Sequence, residues 1–295
     1  MKTAIKAIVA AILVSLSFDA IAQSKEYKQD YYFKIWDNTT APHSNNLTGE
    51  ARETKPHKVV NVTTAELFIF KANKRKATGQ SVVICPGGAY YLLSMDQEGV
   101  DMAKWFAENG ITAAVLQYRN ANGVKDIPFE DAVEAIKIMR KEHSFINIDP
   151  DKIGIVGSSA GGHLASWVST AAPDEGRPNF SILFYPVITC EVGKGHQGSF
   201  DNLLGKKRSN KESKLCSTEK LVDRKTPPAI LFHCDDDNVV PSVNSALYYN
   251  ALKEHKTKAS MHIYPSGGHG WGVNDYFKYH KEWRKSLIDW LDKLD

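Results

Sequence analysis

The feature that most constrains this chain is a five-residue turn, Gly157-Ser158-Ser159-Ala160-Gly161. The apolar run 152–157 (KIGIVG) leads into it, and the run AGGHLASW leads out with helical spacing. A chain that passes from a buried strand into a helix within so few residues crowds its own backbone at both flanks. A Cβ there would collide with that backbone, so both flanking positions require glycine. The turn lifts the Ser159 hydroxyl above the carboxyl end of the sheet. The helix that follows directs its free N–H groups and the positive end of its dipole toward it. A G-x-S-x-G pattern alone recurs by chance; its place between a strand pattern and a helix pattern gives it weight. This part of the chain is thereby committed to a strand–turn–helix unit of an α/β fold.

The rest of the chain repeats that unit. The patterns predict strands at 58–63 and 65–70, joined tightly as an antiparallel pair, and a buried strand at 81–85 that ends at Pro86-Gly87-Gly88. A helix is expected at 99–109, stopped by Gly110, then a strand at 111–118. A further helix is expected at 128–143 with Pro128 in its first turn. Strand 152–157 and helix 160–170 follow, then a strand at 180–188. Residues 190–226 read as long, polar and irregular. A strand at 229–234, a helix at 242–255, a strand at 259–264 and an amphipathic helix at 276–294 complete the chain. The order predicts one mostly parallel central sheet with helices on both faces and antiparallel first strands.

Composition narrows the class. Hydrophobic residues make up 42% and charged residues 24% of 295 residues, values of a globular chain. Lys+Arg 37 against Asp+Glu 34 gives a net charge of +3, with no basic stripe, which excludes a nucleic-acid binder. Lys2 and Lys6 precede an apolar run at 7–18 broken only by Ser15 and Ser17, and Ala20-Ile21-Ala22 supplies small residues before Gln23. Residues 1–22 therefore read as a signal peptide, and residues 23–295 as a single catalytic domain. The apolar run is shorter than the about 20 residues a membrane span needs. The expectation is a secreted or periplasmic protein with no membrane and no nucleic-acid partner. Of four cysteines, Cys85 and Cys234 end apolar strands and are expected as buried thiols. Cys190 and Cys216 flank a polar loop and either pair or stay free. No C-x-x-C pair points to a metal or redox site.

A serine hydroxyl is a poor nucleophile at neutral pH. It needs a base, and the base needs an orienting acid. In strand–turn–helix folds of this kind the acid and then the base follow the serine in the chain. The strand at 229–234 is followed by Asp235-Asp236-Asp237-Asn238-Val239-Val240-Pro241. The spacing H-C-D-D-D-x-V-V-P resembles the acid turn of many folds of this kind, and that resemblance favours Asp237, with Asp235 and Asp236 as alternatives. The last strand is followed by Pro265-Ser266-Gly267-Gly268-His269-Gly270-Trp271-Gly272. Among ten histidines, His269 alone has the right order and place. An oxyanion needs preorganised N–H donors. The N–H after the nucleophile, Ala160, is one. The loop Cys85-Pro86-Gly87-Gly88-Ala89-Tyr90 offers Gly88 and Ala89 as the other. Tyr90, Tyr91 and Trp271 lie beside these loops; they either stack on substrate or pack the pocket wall.

Taken together, these residues resemble the α/β-hydrolase superfamily. More narrowly they are similar to the secreted bacterial esterase/lipase-like group that includes acetylxylan and feruloyl esterases. The resemblance runs from about Tyr32 to the C-terminal helix. It is carried in order by ICPGGAY, EGVDMAKWFAENGITAAVLQYR, IDPDKIGIVGSSAGGHLAS, FYPVIT, GSFDNLLG, TPPAILFHCDDDNVVP and YPSGGHGWG. It implies an α/β-hydrolase fold, a Ser159–Asp237–His269 triad, an acyl-enzyme and no metal or organic cofactor. The implied activity is a serine carboxylesterase acting on ester groups, acetyl by expectation, of a plant polysaccharide such as xylan. A small-molecule ester is the other substrate class. A feruloyl esterase is the alternative, and a prolyl-oligopeptidase-like serine peptidase a more distant one. Such peptidases carry a large propeller, for which residues 23–295 have no room. Two departures stand out. Ala89 replaces the usual third glycine of the oxyanion loop. Asn120-Ala121 replaces Leu-Pro after the Tyr-Arg of a strand, a change expected to affect a surface loop. The polar stretch 193–214, with His196 and Asn202, is expected to form part of a small cap.

Overall fold

The computed structural model describes residues 27–55 and 57–294; the signal-peptide reading of residues 1–22 lies outside them. Eleven strands occur among the described residues: β1 (Tyr31–Asp37), β2 (Arg52–Lys55), β3 (Lys58–Val60), β4 (Thr64–Phe70), β5 (Ser81–Cys85), β6 (Leu92–Ser94), β7 (Thr112–Gln117), β8 (Ile153–Ser158), β9 (Phe180–Phe184), β10 (Ala229–Cys234) and β11 (Ala259–Tyr264). Eight form one sheet in the order β1-β4-β7-β5-β8-β9-β10-β11, and β2, β3 and β6 form a small second sheet. β4 runs antiparallel to both β1 and β7, and every pairing from β7 to β11 is parallel. The fold is therefore the α/β-hydrolase arrangement, a mostly parallel sheet with antiparallel first strands.

The central strands β5, β7, β8, β9 and β10 are buried along their whole length. That is why they read as unbroken apolar runs: helices cover both of their faces. The α-helices among the described residues are α1 (Asp101–Glu108), α2 (Asp126–Lys141), α3 (His143–Ile146), α4 (Ala160–Ala171), α5 (Gln197–Leu204), α6 (Asn210–Leu215), α7 (Val243–Glu254) and α8 (His280–Leu291), of which α1, α2, α4, α7 and α8 pack on the sheet. Right-handed crossovers put α1 on one face, because β5 to β7 steps one way along the sheet. They put α2, α4 and α7 on the other, because the later steps run the opposite way. α8 joins α1 through the rings of Trp105 and Trp283, 5.1 Å apart. Among the described residues no helix is long and apolar enough to cross a membrane.

Two expectations are corrected, and the alternative left open for Cys190 and Cys216 is decided. Residues 58–63 and 65–70 do not form a hairpin: β3 pairs with β2 and β6, while β4 pairs with β1 and β7. The stretch 190–226 is not irregular throughout, since it holds α5 and α6; a capping box on Ser209 and Glu212 starts α6. Cys190 and Cys216 are free thiols, buried like Cys85 and Cys234.

Candidate active site

The carboxyl ends of neighbouring parallel strands bring the chemistry together. β8 ends at Ser158, and Ser159 follows at φ 54, ψ −120, a strained turn conformation for a residue with a side chain. Three backbone hydrogen bonds hold it there. Its N–H donates to the Phe184 carbonyl (3.0 Å), and its own carbonyl accepts from Val187 (3.0 Å) and His163 (3.1 Å). The crowding read from the sequence is present at both flanks. A Cβ on Gly157 would press on the backbone of Gly161 and Gly162, and one on Gly161 would press on the carbonyl oxygens of Cys85 and Pro86.

Ser159 Oγ lies 2.9 Å from His269 Nε2, and His269 Nδ1 lies 2.7 Å from Asp237 Oδ2. With the proton on Nδ1, the imidazole donates to the carboxylate and accepts from the serine. Asp237 is buried, and its other oxygen accepts from the N–H groups of Val239 (2.9 Å) and Val240 (2.8 Å). Burial pushes the Asp237 carboxyl up. The hydrogen bonds from His233 and His269, the charge on His269 and the Val240 N–H outweigh it and hold the group well below the usual carboxylate range. Of the two alternatives, Asp235 and Asp236, both are exposed. Asp236 has a different part: its oxygens accept from the N–H groups of Gly267 (3.1 Å) and Gly268 (2.8 Å), which clamps the loop that carries His269.

The loop after β5 faces the serine from the other side. Gly87 lies against Ser159, while Gly88 and Ala89 are half-buried. The N–H groups of Gly88, Ala89 and Ala160 take no hydrogen-bond partner among the described residues. Ala89 adopts φ 54, the positive value that glycine would reach more cheaply, and Tyr90 follows at φ 60.

The three aromatic residues separate. Tyr90 is 1% exposed and its hydroxyl is 2.7 Å from His163 Nδ1, so it is a wall residue and not a surface for substrate. Trp271 is also 1% exposed; its ring stacks on Phe277 with centroids 4.1 Å apart. Tyr91 alone is exposed, at 63%. The Asn120 departure is not a surface matter either. Asn120 is buried, donates to the Tyr91 carbonyl (3.1 Å) and accepts from the Val62 N–H (2.8 Å), which ties the oxyanion loop to the chain before β4. From the polar stretch, Asn202 at the end of α5 donates to the Ala89 carbonyl (2.9 Å).

Sequence reasoning passed over a second set of residues. Glu98 is buried. It accepts the Gly87 N–H (3.0 Å) through one oxygen and the Tyr185 hydroxyl (2.8 Å) through the other, and Tyr185 in turn accepts the Gly272 N–H (2.9 Å). This bridge joins the oxyanion loop to the His269 loop. Burial raises the Glu98 carboxyl above its ordinary range, against the Tyr185 hydrogen bond and the charges of His269 and Lys58. His233, buried on β10, lies 3.3 Å from Asp237 Oδ2 and 2.7 Å from the Ser245 hydroxyl through its other nitrogen. No local pattern marks such residues, because their partners are distant in sequence. Among the described residues no cluster of three or more His, Cys, Asp or Glu is placed to hold a metal ion.

With this geometry in view, the comparison with known proteins is specific. The profile of the prolyl oligopeptidase family matches residues 115–294. The chain belongs to the prolyl oligopeptidase family. Within that family's fold it falls in the esterase group of the α/β hydrolases. An acetylxylan esterase of Xylanibacter ruminicola is 41% identical over 222 residues, covering 74% of this chain and 46% of that protein. An endo-1,4-beta-xylanase B of Butyrivibrio fibrisolvens is 35% identical over 213 residues, covering 66% of this chain and 33% of that protein. The chain thus spans less than half the length of either. The crystal structure of an acetyl ester-xyloside bifunctional hydrolase from Caldicellulosiruptor lactoaceticus superposes with a TM-score of 0.75 at 32% identity, covering 89% of this chain and 96% of that one. The match to the prolyl oligopeptidase family covers β8, β10 and β11, the strands after which Ser159, Asp237 and His269 stand.

Proposed function

We propose that this protein is a secreted serine carboxylesterase that removes acetyl groups from xylan by way of an acyl-enzyme. The observation that carries the reading is the unbroken hydrogen-bond chain Ser159–His269–Asp237, with three N–H groups nearby that take no partner among the described residues. Ser159 Oγ attacks the ester carbonyl carbon as its proton passes to His269 Nε2. Asp237, held ionised, stabilises the imidazolium and keeps Nε2 aimed at the serine. The carbonyl oxygen becomes an oxyanion among the N–H groups of Ala160 and of Gly88 or Ala89. The C–O bond to the sugar breaks, and the departing alkoxide takes the proton from Nε2. Water then attacks the acyl-serine, gives its proton to His269 and releases acetate, and Ser159 recovers its proton. Residues 1–22 would direct export to the periplasm or the medium. The acetyl and xylan parts of the reading are supported by what the Xylanibacter and Caldicellulosiruptor proteins are named for.

The test is acetate release from acetylated xylan by the wild type and by Ser159→Ala, with methyl ferulate and a prolyl peptide amide run in parallel. Acetate release that vanishes in the variant is expected. Ferulate release with little acetate would transfer the reading to a feruloyl esterase. Cleavage of the amide alone would transfer it to the peptidase side of the family.

A further inference from the structure

Beside the oxyanion loop the surface carries two clefts that the chemistry above does not use. The first, of about 400 Å³, runs along Tyr91 and is bordered by Arg52, Asn61, Asn122 and Lys206. The second, of about 560 Å³, continues from Lys206 past Lys214. Lys206 and Asp201 border both, so the two clefts adjoin at these residues and together offer one furrow to a polymer. Its wall is built on the oxyanion loop itself. Asn120 holds the Tyr91 carbonyl and Asn202 the Ala89 carbonyl. A polymer lying in the furrow is therefore held in a set relation to Ser159.

The chemistry of the furrow describes its occupant. Tyr91 presents a solvent-facing ring on which a sugar can lie. Asn61, Asn122 and Asn202 each donate their Nδ2 to backbone carbonyls, and among the described residues no hydrogen bond reaches their Oδ1. Those oxygens are acceptors for hydroxyl groups. Two acidic residues on the border already have partners: Asp201 pairs with Arg208, and Glu191 with Lys194 at 2.9 Å. Arg52, Lys206 and Lys214 make no ion pair or side-chain hydrogen bond among the described residues. A neutral polymer would leave these three cations unanswered.

We infer that the furrow binds a xylan chain bearing uronic acid side groups, whose carboxylates meet Arg52, Lys206 and Lys214 while an ester of the same chain lies at Ser159. This deepens the esterase reading and rests on it. Exposed ion pairs are individually weak and screened by salt, so the three together are worth about tenfold in affinity.

The substrates for the test are acetylated glucuronoxylan and the same polymer after reduction of its carboxyl groups to alcohols. The triple variant Arg52→Gln/Lys206→Gln/Lys214→Gln is expected to raise KM on the acidic polymer about tenfold with kcat held. Its KM on the reduced polymer should match the wild type's, and the rise of the wild-type KM with salt should disappear. An unchanged KM on the acidic polymer, or an equal loss on both polymers, overturns the furrow. A second readout does not depend on catalysis: calorimetric binding of Ser159→Ala to deacetylated glucuronoxylan and to its reduced form. Binding at least tenfold tighter to the acidic form supports the furrow even if the wild type releases no acetate, an outcome that would sink the esterase reading alone. Equal binding to the two forms overturns the furrow whatever the activity.

Discussion

His163 and Asp237 show how single residues answer to burial in opposite ways. Asp237 accepts bonds from His269 and two backbone N–H groups, so it stays ionised in the fold. Asn in its place keeps the shape but removes the charge and turns one end into a donor. The imidazole would then adopt the wrong tautomer, and kcat on p-nitrophenyl acetate should fall by about 10³ to 10⁴ with KM little changed. A fall below tenfold would remove Asp237 from the proposed triad. His163 sits one turn along α4 from the nucleophile, fully buried. One ring nitrogen faces the Tyr90 hydroxyl (2.7 Å) and the other the Cys216 carbonyl (2.7 Å). Burial pushes its pKa down to about 4, with the Cys216 carbonyl opposing. In the unfolded chain it titrates near about 6.5. Between those values the unfolded state binds the proton and the folded state does not, so stability falls as pH falls through this window. From pH 7 to 4.5 the loss from this residue alone is about 2 kcal/mol. Urea midpoints across that range should drop less steeply in His163→Gln than in the wild type; parallel slopes would contradict the assignment.

At the scale of elements, the turn between β8 and α4 and the loop after β11 both depend on glycine, for different reasons. A Cβ on Gly161 would lie 2.6 Å from the Pro86 carbonyl oxygen and closer still to that of Cys85, so α4 would have to move off β5. Gly161→Ala should cost about 3 kcal/mol or more, read as a fall in the urea midpoint or loss of soluble protein. Gly268, at φ 61, has open space around it, and Gly268→Ala should cost only the backbone strain of about 1 to 2 kcal/mol. Comparable losses in the two variants would mean that crowding is not what selects glycine in the turn. The same contrast explains what was legible in the sequence. β5 and β10 carry the bounds expected of them, because a strand buried between two helix layers needs an apolar run that stops where the chain turns. β11, half-buried at the edge of the sheet, carries its expected bounds as well. Ser159, Asp237 and His269 are legible as candidates because each follows a strand of the parallel part of the sheet. β3 was misread because three residues, Lys58–Val60, carry too little pattern to reveal a partner such as β6, more than thirty residues on. Tyr90 and Trp271 were left open between stacking and packing, since proximity in sequence to a loop does not say which way a ring points. Asn120 reads from sequence as part of a surface loop because its partners, Val62 and Tyr91, come together only in the folded molecule.

Across the whole molecule, one buried ion pair ties the antiparallel edge to the parallel core. Arg119 follows β7 and Asp131 lies on α2, and both side chains are fully buried. The guanidinium meets Asp131 Oδ1 through Nη2 (2.7 Å) and Nε (3.0 Å), Glu130 (2.6 Å) and the His43 carbonyl (2.7 Å). Asp131 also accepts the Arg119 N–H (2.8 Å) and the indole N–H of Trp36 (2.5 Å), which comes from β1. The cluster thus closes a span of 95 residues in the chain. Arg119→Met strands the buried Asp131 carboxylate and should cost about 3 to 5 kcal/mol; Asp131→Leu leaves the guanidinium its Glu130 partner and should cost less. Removing both leaves no buried charge at the pair. The double variant should therefore lose no more than the worse single variant, and the cycle should show a coupling of several kcal/mol. It will not recover fully, because without Arg119 the His43 carbonyl and Glu130 lose their donor. Where the loss falls separates two pictures of the fold. If the cluster only pins β1 and the following loop, Trp36 fluorescence and trypsin cleavage at Arg52 should report an early transition in Asp131→Leu, before the circular dichroism of the sheet changes. A single coincident transition would mean that the edge and the core unfold as one unit, and that this pair stabilises all of it.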